Sequence, residues 1–294
     1  TTLLAPAAAQ AQAAAAQAQA ADAPAKPAPV TVKADPALWV VKDKDTTIYL
    51  FGTFHMLKPG YSWFHGKVKS AFDASSELVT EVIEPDSARL QPLMMQLAVD
   101  PKAPPLTSRL SAEGKADYEK AMKELGLPVA AFETFEPWAV ALLIQVTLFQ
   151  KIGYGPEAGA EAVLTTAAKQ AGKTLGELET AEFQIRLLDS MPPAEQIVFL
   201  ESTVKSLPEQ SKALDTMLGY WAKGDAKGLA AMMNESLEAT PGLHKRMLAD
   251  RNATWANWIA ARLAKPGTVF VAVGAGHLAG KDSVQDYLKA KRLK

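Results

Sequence analysis

Apolar, strand-like segments lie near both ends of the chain. Near the start, ALWVV at 37–41 and TTIYLFG at 46–52 are separated by the polar run KDKD, a pattern that predicts two strands joined by a short hairpin. ELVTEVI at 77–83 and TVFVAVG at 268–274 are apolar and β-branched, and KTLGELET at 173–180 predicts a strand in the middle of the chain. These segments predict a small sheet in which the early and late strands are neighbours.

Helical patterns fill the stretches between these strands. FHGKVKSAFDASS at 64–76 has helical spacing, so the early part of the folded chain is predicted to run strand, helix, strand. In the middle, Ser111 and Gly126 are start and stop signals of one helix, and the segment 135–155 is apolar on all sides, which predicts a helix covered by its neighbours. We therefore predict an α/β (or α+β) fold with a small central mixed sheet and a large helical insertion.

The beginning of the chain has a different composition. Residues 1–36 are rich in Ala, Gln and Pro and offer little side-chain surface to bury, which predicts a disordered tether. Their start, TTLLAPAAAQAQA, also has the small residues that surround a signal-peptide cleavage site, so a signal-peptide remnant is the alternative. The second interpretation predicts a periplasmic or otherwise exported protein. Either one leaves 37–294 as the folded domain.

Charge and cysteine content exclude several classes of function. With 31 Lys+Arg and 32 Asp+Glu the net charge is -1, so we expect no nucleic-acid partner. The chain has no cysteine, which excludes a disulfide scaffold, a zinc ribbon and a thiol nucleophile. No stretch approaches the roughly 20 apolar residues of a membrane-spanning helix, and the common phosphate-loop, zincin and serine-esterase motifs are absent. Any metal ion must therefore be held by His, Asp or Glu.

Two of the four histidines follow a strand in the same way. Gly52 and Gly274 each end an apolar strand, and His55 and His277 stand three residues later. Glycine permits the sharp backbone that leaves a strand, and parallel neighbouring strands would carry both imidazoles to the sheet edge where α/β proteins bind ligands. Imidazole is a preferred ligand of zinc, manganese and cobalt. The pattern predicts a shared metal site; the alternative is two unrelated histidines that cap loops or bond within the core.

Three further residues are candidates because apolar neighbours surround their charge. Glu81 lies within ELVTEVI, and Glu179 lies within LGELET; a carboxylate buried there needs a cation or strong donors, although a solvent-facing strand position would remove that need. Arg251, followed by Asn252 in an apolar-rich helix, is expected to pair with one of these glutamates or to bind an anionic part of a substrate.

The segments GTFH, LVTEV, LGELETAEFQ, ADRN and VAVGAGHLAG, in this order and spacing, resemble those of the TraB/GumN family, which includes the TIKI membrane-tethered proteases. The resemblance runs from about Leu38 to the end of the chain and includes FEPWAVALL and YWAKGD. It implies a domain over 37–294 related to the erythromycin-esterase-like and haem-binding ChaN-like folds.

The resemblance also implies a metal-dependent site made of paired G-x-x-H motifs and a glutamate. The positions that match the metal-binding and catalytic residues are His55, His277 and Glu81. The positions that match supporting or substrate-binding residues are Gly52, Gly274, Glu179, Arg251 and Asn252.

From these residues and this resemblance we expect a metal-dependent hydrolase with peptidase-like activity. A divalent ion such as Mn, Co or Zn would activate water, and Glu81 would either bind the ion or act as general base. The alternative is a non-catalytic cell-envelope protein that binds a peptide, a pheromone or haem; haem ligation by His55 or His277 would give an absorption band. A family member that has kept only a structural role is the third possibility.

Overall fold

The structure, a computed structural model, describes residues 31–83, 87–238 and 241–293. Most of the predicted tether or signal remnant, 1–30, lies outside the described residues. Its last part belongs to the fold: Val32–Lys33 (β1) pairs in parallel with Tyr61–Ser62 (β4), and Ala34 is fully buried. The folded region therefore includes residues that we assigned to the tether, because a distant segment supplies their hydrogen-bond partners.

Five strands form one mixed sheet, and they are β2 (Leu38–Lys42), β3 (Thr46–Thr53), β5 (Glu77–Thr80), β6 (Thr174–Glu177) and β7 (Gly267–Gly274). The spatial order is β2-β3-β7-β5-β6. The hairpin partner β2 runs antiparallel to β3, and the other three neighbour pairs are parallel. The late strand β7 thus lies between β3 and β5, as the sequence predicted for early and late strands.

Both faces of the sheet are covered, which explains why its central strands are apolar without alternation. One face carries an aromatic core that includes Phe51 and Phe270. The other face carries a mainly aliphatic core that includes Ile48 and Val271 together with the aromatic residue Trp255. A strand buried on two sides has no polar face to display, so its hydrophobic run is continuous.

Most helices occupy the two long connections, from β5 to β6 and from β6 to β7, whereas the first helix precedes β5 and the last follows β7. Their bounds are α1 (Gly66–Ala74), α2 (Ser87–Ala98), α3 (Leu106–Arg109), α4 (Ala112–Leu125), α5 (Pro137–Lys151), α6 (Ala160–Gln170), α7 (Ala181–Asp189), α8 (Pro193–Ala222), α9 (Ala226–Glu238), α10 (Pro241–His244), α11 (Asp250–Leu263) and α12 (Val284–Ala290). Short 3-10 turns lie at Val129–Phe132, Pro156–Ala158 and Ala275–Leu278, and a π-helical turn lies at Lys245–Ala249.

The predicted helix signals act as expected in α4 and α5. The Ser111 side chain accepts a hydrogen bond from the Gly114 N–H, and Gly126 ends α4 in the left-handed conformation at φ 74°. The first half of α5, from Pro137 to Ala141, is buried, and it packs with α4 and α8 in a core of its own.

The predicted α/β class with a small central mixed sheet is confirmed. The helical part is divided in two because β6 returns the chain to the edge of the sheet. Among residues 31–83, 87–238 and 241–293, no helix has the length and apolar character needed to cross a membrane.

Candidate functional site

The carboxyl ends of three neighbouring parallel strands carry the predicted site residues. His55 lies two residues beyond β3, Glu81 immediately follows β5, and His277 lies three residues beyond β7. Because β7 is parallel to both neighbours, these ends meet at one edge of the sheet. The structure therefore brings the two G-x-x-H histidines and Glu81 together.

The imidazole of His55 is held from one side by an acid on α6. Its Nδ1 lies 2.7 Å from Oε1 of Glu161, and the same oxygen accepts a hydrogen bond from the Thr53 hydroxyl. The carboxylate raises the pKa of His55. The His55 side chain is 65% exposed, so solvent screens part of this attraction. His55 thus presents Nε2, the ring nitrogen away from Glu161, for further interactions.

The imidazole of His277 is buried and has a defined tautomer. Its Nδ1–H donates to Oδ1 of Asn252 at 2.6 Å, and the Asn252 amide is itself oriented because its Nδ2 donates to the Asp282 carbonyl. Nε2 accepts from Nη1 of Arg251 at 3.2 Å. Burial is the main reason why the pKa of His277 is lowered to about 3. The Arg251 cation also lowers this pKa, whereas the negative charge of Glu81 opposes the shift. The ring is therefore neutral at physiological pH.

Glu81 is a buried carboxylate with several donors. Oε1 accepts from the Gly274 backbone N–H at 2.7 Å and lies 3.7 Å from Nε2 of His277. Oε2 accepts from Nη2 of Arg251 at 2.7 Å and from the Gln184 amide at 3.0 Å. Burial by itself raises the pKa of Glu81, but the histidines, the guanidinium and the Gly274 N–H together outweigh it and lower the pKa to about 2.

Arg251 links the two buried glutamates. Its Nε donates to Oε1 of Glu179 at 2.9 Å and its Nη2 to Oε2 at 2.8 Å, a bidentate pair, while the second bond of Nη2 reaches Glu81. The Trp255 indole N–H also donates to Glu179 at 2.9 Å. We expected Arg251 to pair with one of the two glutamates, and it pairs with both.

The two strand-ending glycines provide space rather than an unusual backbone. Gly274 has φ −49°, and Gly52 is not among the residues with positive φ, so our reason for these glycines was wrong. A Cβ on Gly52 would lie 3.0 Å from the Cα of Ala275. The chain after β3 and the chain after β7 approach so closely here that a side chain on Gly52 does not fit. A Cβ on Gly274 would lie 3.1 Å from Oε1 of Glu81 and 3.5 Å from Nε2 of His55.

Two pockets adjoin this cluster. The first, of about 1010 Å³, is lined by both His55 and Glu81 and by one face of α6. The second, of about 730 Å³, is lined by Glu179 and Arg251 together with apolar residues. Helix α7 contributes to both pockets, since its Gln184 lines the first and its Phe183 and Leu187 line the second.

The donor chemistry and the charge of the cluster fit a divalent cation. Two imidazoles and a carboxylate are ligands that zinc, manganese and cobalt accept, and both rings have Nδ1 fixed by an outer partner, as metal-binding histidines usually do. Three carboxylates against one guanidinium leave two negative charges when both rings are neutral; the four groups are Glu81, Glu161, Glu179 and Arg251.

The spacing is not that of a finished ligand set. Within the described parts of the chain, no three His, Asp or Glu side chains are arranged to hold a metal ion. The hydrogen bond from Arg251 to Nε2 of His277 occupies the lone pair that a ligand would need. A metal ion could use His277 only after this hydrogen bond is given up.

Sequence reasoning did not single out two residues of this cluster. Glu161 holds Nδ1 of His55, but in the sequence it is one acid in the first turn of an Ala-rich helix. Gln184 bridges Glu81 and Glu179 through its amide. The available signal was the position of Gln184, five residues after Glu179 in LETAEFQ. The first turn of α7 brings a residue at this position back towards the end of the strand.

Comparison with known proteins places the chain among bacterial relatives. A family model described as the TraB/PrgY/gumN family matches residues 37–294. The chain is 29% identical over 189 residues to "Uncharacterized protein YbaP" of Escherichia coli (strain K12), a match covering 64% of this chain and 70% of that protein. It is 26% identical over 272 residues to an "Uncharacterized protein" of Treponema pallidum (strain Nichols), covering 87% and 80%. No solved structure matches, so the relation to erythromycin-esterase and ChaN-like folds stays a prediction.

Proposed function

The chain belongs to the TraB/PrgY/gumN family, and from this premise we propose that it is a metal-dependent hydrolase that cleaves peptide bonds in the pocket beside His55. One observation carries the proposal. The Nε2 of His55, the Oε1 of Glu81 and the ring of His277 surround the small space that a Cβ on Gly274 would fill, and His55 and Glu81 also line a pocket large enough for a peptide.

In this proposal His55, His277 and Glu81 hold the cation. A divalent cation held there supplies Lewis-acid polarisation of the scissile carbonyl. Glu161 and Asn252 fix the Nδ1 side of each ring, so that both Nε2 atoms are the donors available to a ligand. The charge of the cluster supports this assignment. On binding a cation at Nε2, His55 would lose the proton that Glu161 favours on its ring, and the cluster would then have two excess negative charges for the cation to neutralise.

Of the two roles that we predicted for Glu81, ligand is the better supported. A carboxylate with a pKa of about 2 is ionised at all physiological pH values but is a weak base, and general bases work best with a pKa near the operating pH. Arg251 keeps Glu81 ionised and in place through the 2.7 Å contact. The resemblance to TIKI proteases adds the expectation that the substrate is a peptide.

A non-catalytic binding pocket for a peptide, a pheromone or haem is the second candidate, and one observation favours it. Glu81 and His277 have their hydrogen-bonding atoms satisfied by protein groups alone, an arrangement that needs no ion. In that case the pocket would bind its ligand without cleaving it.

The test is peptide turnover by the purified chain, followed by mass spectrometry of a peptide library. After treatment with EDTA we expect no cleavage, and we expect Mn²⁺, Co²⁺ or Zn²⁺ to restore it. His55→Ala and His277→Ala should abolish the restored activity, whereas His65→Ala, which alters a histidine outside the pocket, should keep it. Turnover that EDTA leaves unchanged, or no turnover with any metal, would reject the proposal, and a haem absorption band lost in His55→Ala would support the second candidate.

A further inference from the structure

The pocket beside His55 continues along helix α6. The helix residues that line it are Glu161, Ala162, Val163, Thr165, Thr166, Ala167, Lys169 and Gln170. Glu161, Thr165 and Lys169 are spaced four residues apart and therefore lie in one row along the helix. Between the two charged ends the row has Thr165, flanked by the small residues Ala162 and Ala167, so this wall of the pocket is a strip of small side chains.

The two ends of this strip have opposite charge. The end at His55 has an excess of carboxylates. Glu157, which forms no ion pair in the part of the chain that the structure describes, lines the pocket beside Glu161, which is paired with His55, and Glu81, which is paired with Arg251. At the other end Lys169 is exposed, and it forms no ion pair with any residue in the described ranges. A free cation at one end and a group of carboxylates at the other will orient a charged ligand.

The length of the strip sets the size of that ligand. Glu161 and Lys169 are eight positions apart on α6, so at about 1.5 Å per residue their backbones are ~12 Å apart. An extended peptide spans about 3.3–3.6 Å per residue. The strip from the His55 end to Lys169 therefore accommodates about three to four residues of extended chain.

We infer that the pocket selects short peptides with a free C-terminal carboxylate, which Lys169 binds about three to four residues beyond the bond held at His55. In the metal-free protein the carboxylates at the His55 end outnumber the cations there and repel this carboxylate. With the cation bound, a carboxylate at that end would block the site, so a peptide that is cleaved lies with its C-terminus at Lys169. The inference rests on the proposed function, which supplies the peptide and the cleaved bond. It adds the substrate class, namely peptides recognised from their C-terminus.

Binding of tetra-alanine, compared with that of its C-terminal amide, tests the inference without any turnover. Isothermal titration at low salt with EDTA-treated protein should show the free acid binding about two- to fivefold more tightly than the amide, the range of one exposed ion pair. The preference should disappear in Lys169→Met, reverse in Lys169→Glu, and persist in Lys120→Met, a matched exposed lysine on α4 outside the pocket. It should also weaken as salt is raised. Equal binding of acid and amide by the unmodified chain, or no binding of either, would overturn the inference.

Turnover separates this inference from the proposed function. On hexa-alanine, which has bonds three and four residues before its C-terminus, Lys169→Met should raise KM two- to fivefold and leave kcat unchanged, because the backbone of Lys169 is ~12 Å from that of Glu161 at the His55 end. Cleavage of acid and amide peptides at equal kcat/KM would reject the C-terminal selection and keep the hydrolase. A binding preference without any cleavage would reject the hydrolase and keep the carboxylate site.

Discussion

Acid should destabilise this protein through the buried imidazole of His277. Its pKa is about 3 in the folded chain, against 6.5 as the ordinary value. Between these two values the unfolded chain binds a proton that the folded chain does not, so stability falls as the pH falls. Lowering the pH from 6.5 to 5 is a change of 1.5 units, so at about 1.36 kcal/mol per unit the free energy of unfolding falls by about 2 kcal/mol. The side chain is only 7% exposed, so solvent screening reduces this figure little.

The assay is urea unfolding at pH 7 and at pH 5, followed by tryptophan fluorescence. His277→Gln replaces the titrating ring by an amide, so the drop in unfolding free energy between the two pH values should be about 2 kcal/mol smaller than in the unmodified chain. His65→Gln serves as the matched control and should keep the full drop. His55, with its raised pKa, gains stability as the pH falls, but it is present in all three proteins and cancels in the comparison.

An equal drop in the unmodified chain and in His277→Gln would show that His277 is not the group through which acid destabilises the fold. If the variant does not fold, ¹⁵N NMR of labelled histidine in the unmodified chain gives the same answer. The ring of His277 should stay neutral, with its proton on Nδ1, down to pH 5. Protonation of this ring near pH 6.5 would show that burial and the Arg251 contact do not control it.

Three other changes test the remaining contacts of the cluster. Glu161→Gln removes the charge beside His55 and should lower its pKa towards 6.5, as measured by imidazole NMR; an unchanged pKa would contradict the pairing. Gly274→Ala places a methyl group 3.1 Å from Oε1 of Glu81 and should lower the unfolding free energy by about 1–3 kcal/mol in chemical denaturation, with Gly219→Ala, where an added Cβ meets nothing within 4 Å, as control. Arg251→Met leaves two buried carboxylates unpaired and should lower the unfolding free energy by about 3–5 kcal/mol; a loss below 1 kcal/mol would mean that the carboxylates find other partners.

The sheet could be predicted because the apolar patterns that specify its strands lie within short segments of the sequence. ALWVV, KDKD and TTIYLFG form the predicted hairpin, and TVFVAVG is the parallel neighbour of β3, since a continuous apolar run is the pattern of a strand buried on both faces. The convergence of His55 and His277 then follows from the parallel direction of their strands. The strand that carries Glu81 is shorter than predicted, and it ends one residue before the glutamate.

The partners of the site residues could not be predicted, because they are tertiary contacts. Glu161 reaches His55 only because the start of α6 packs on the loop after β3, where the Ala160 N–H donates to the Phe54 carbonyl at 3.0 Å. In the sequence the same glutamate is an ordinary acidic residue at a helix start. The role of Gly274 was also hidden, since the group that fills the space beside it is Glu81, which lies on another strand.

In the proposed function, His55, His277 and Glu81 hold one divalent cation. The most direct measurement is electron spin-echo envelope modulation of Mn²⁺ bound to the chain labelled with ¹⁵N-histidine. We expect one bound Mn²⁺ coupled to two histidine nitrogens, with one coupling lost in His55→Ala and the other in His277→Ala. Absence of bound Mn²⁺, or a bound ion without coupling to any histidine nitrogen, would contradict this expectation.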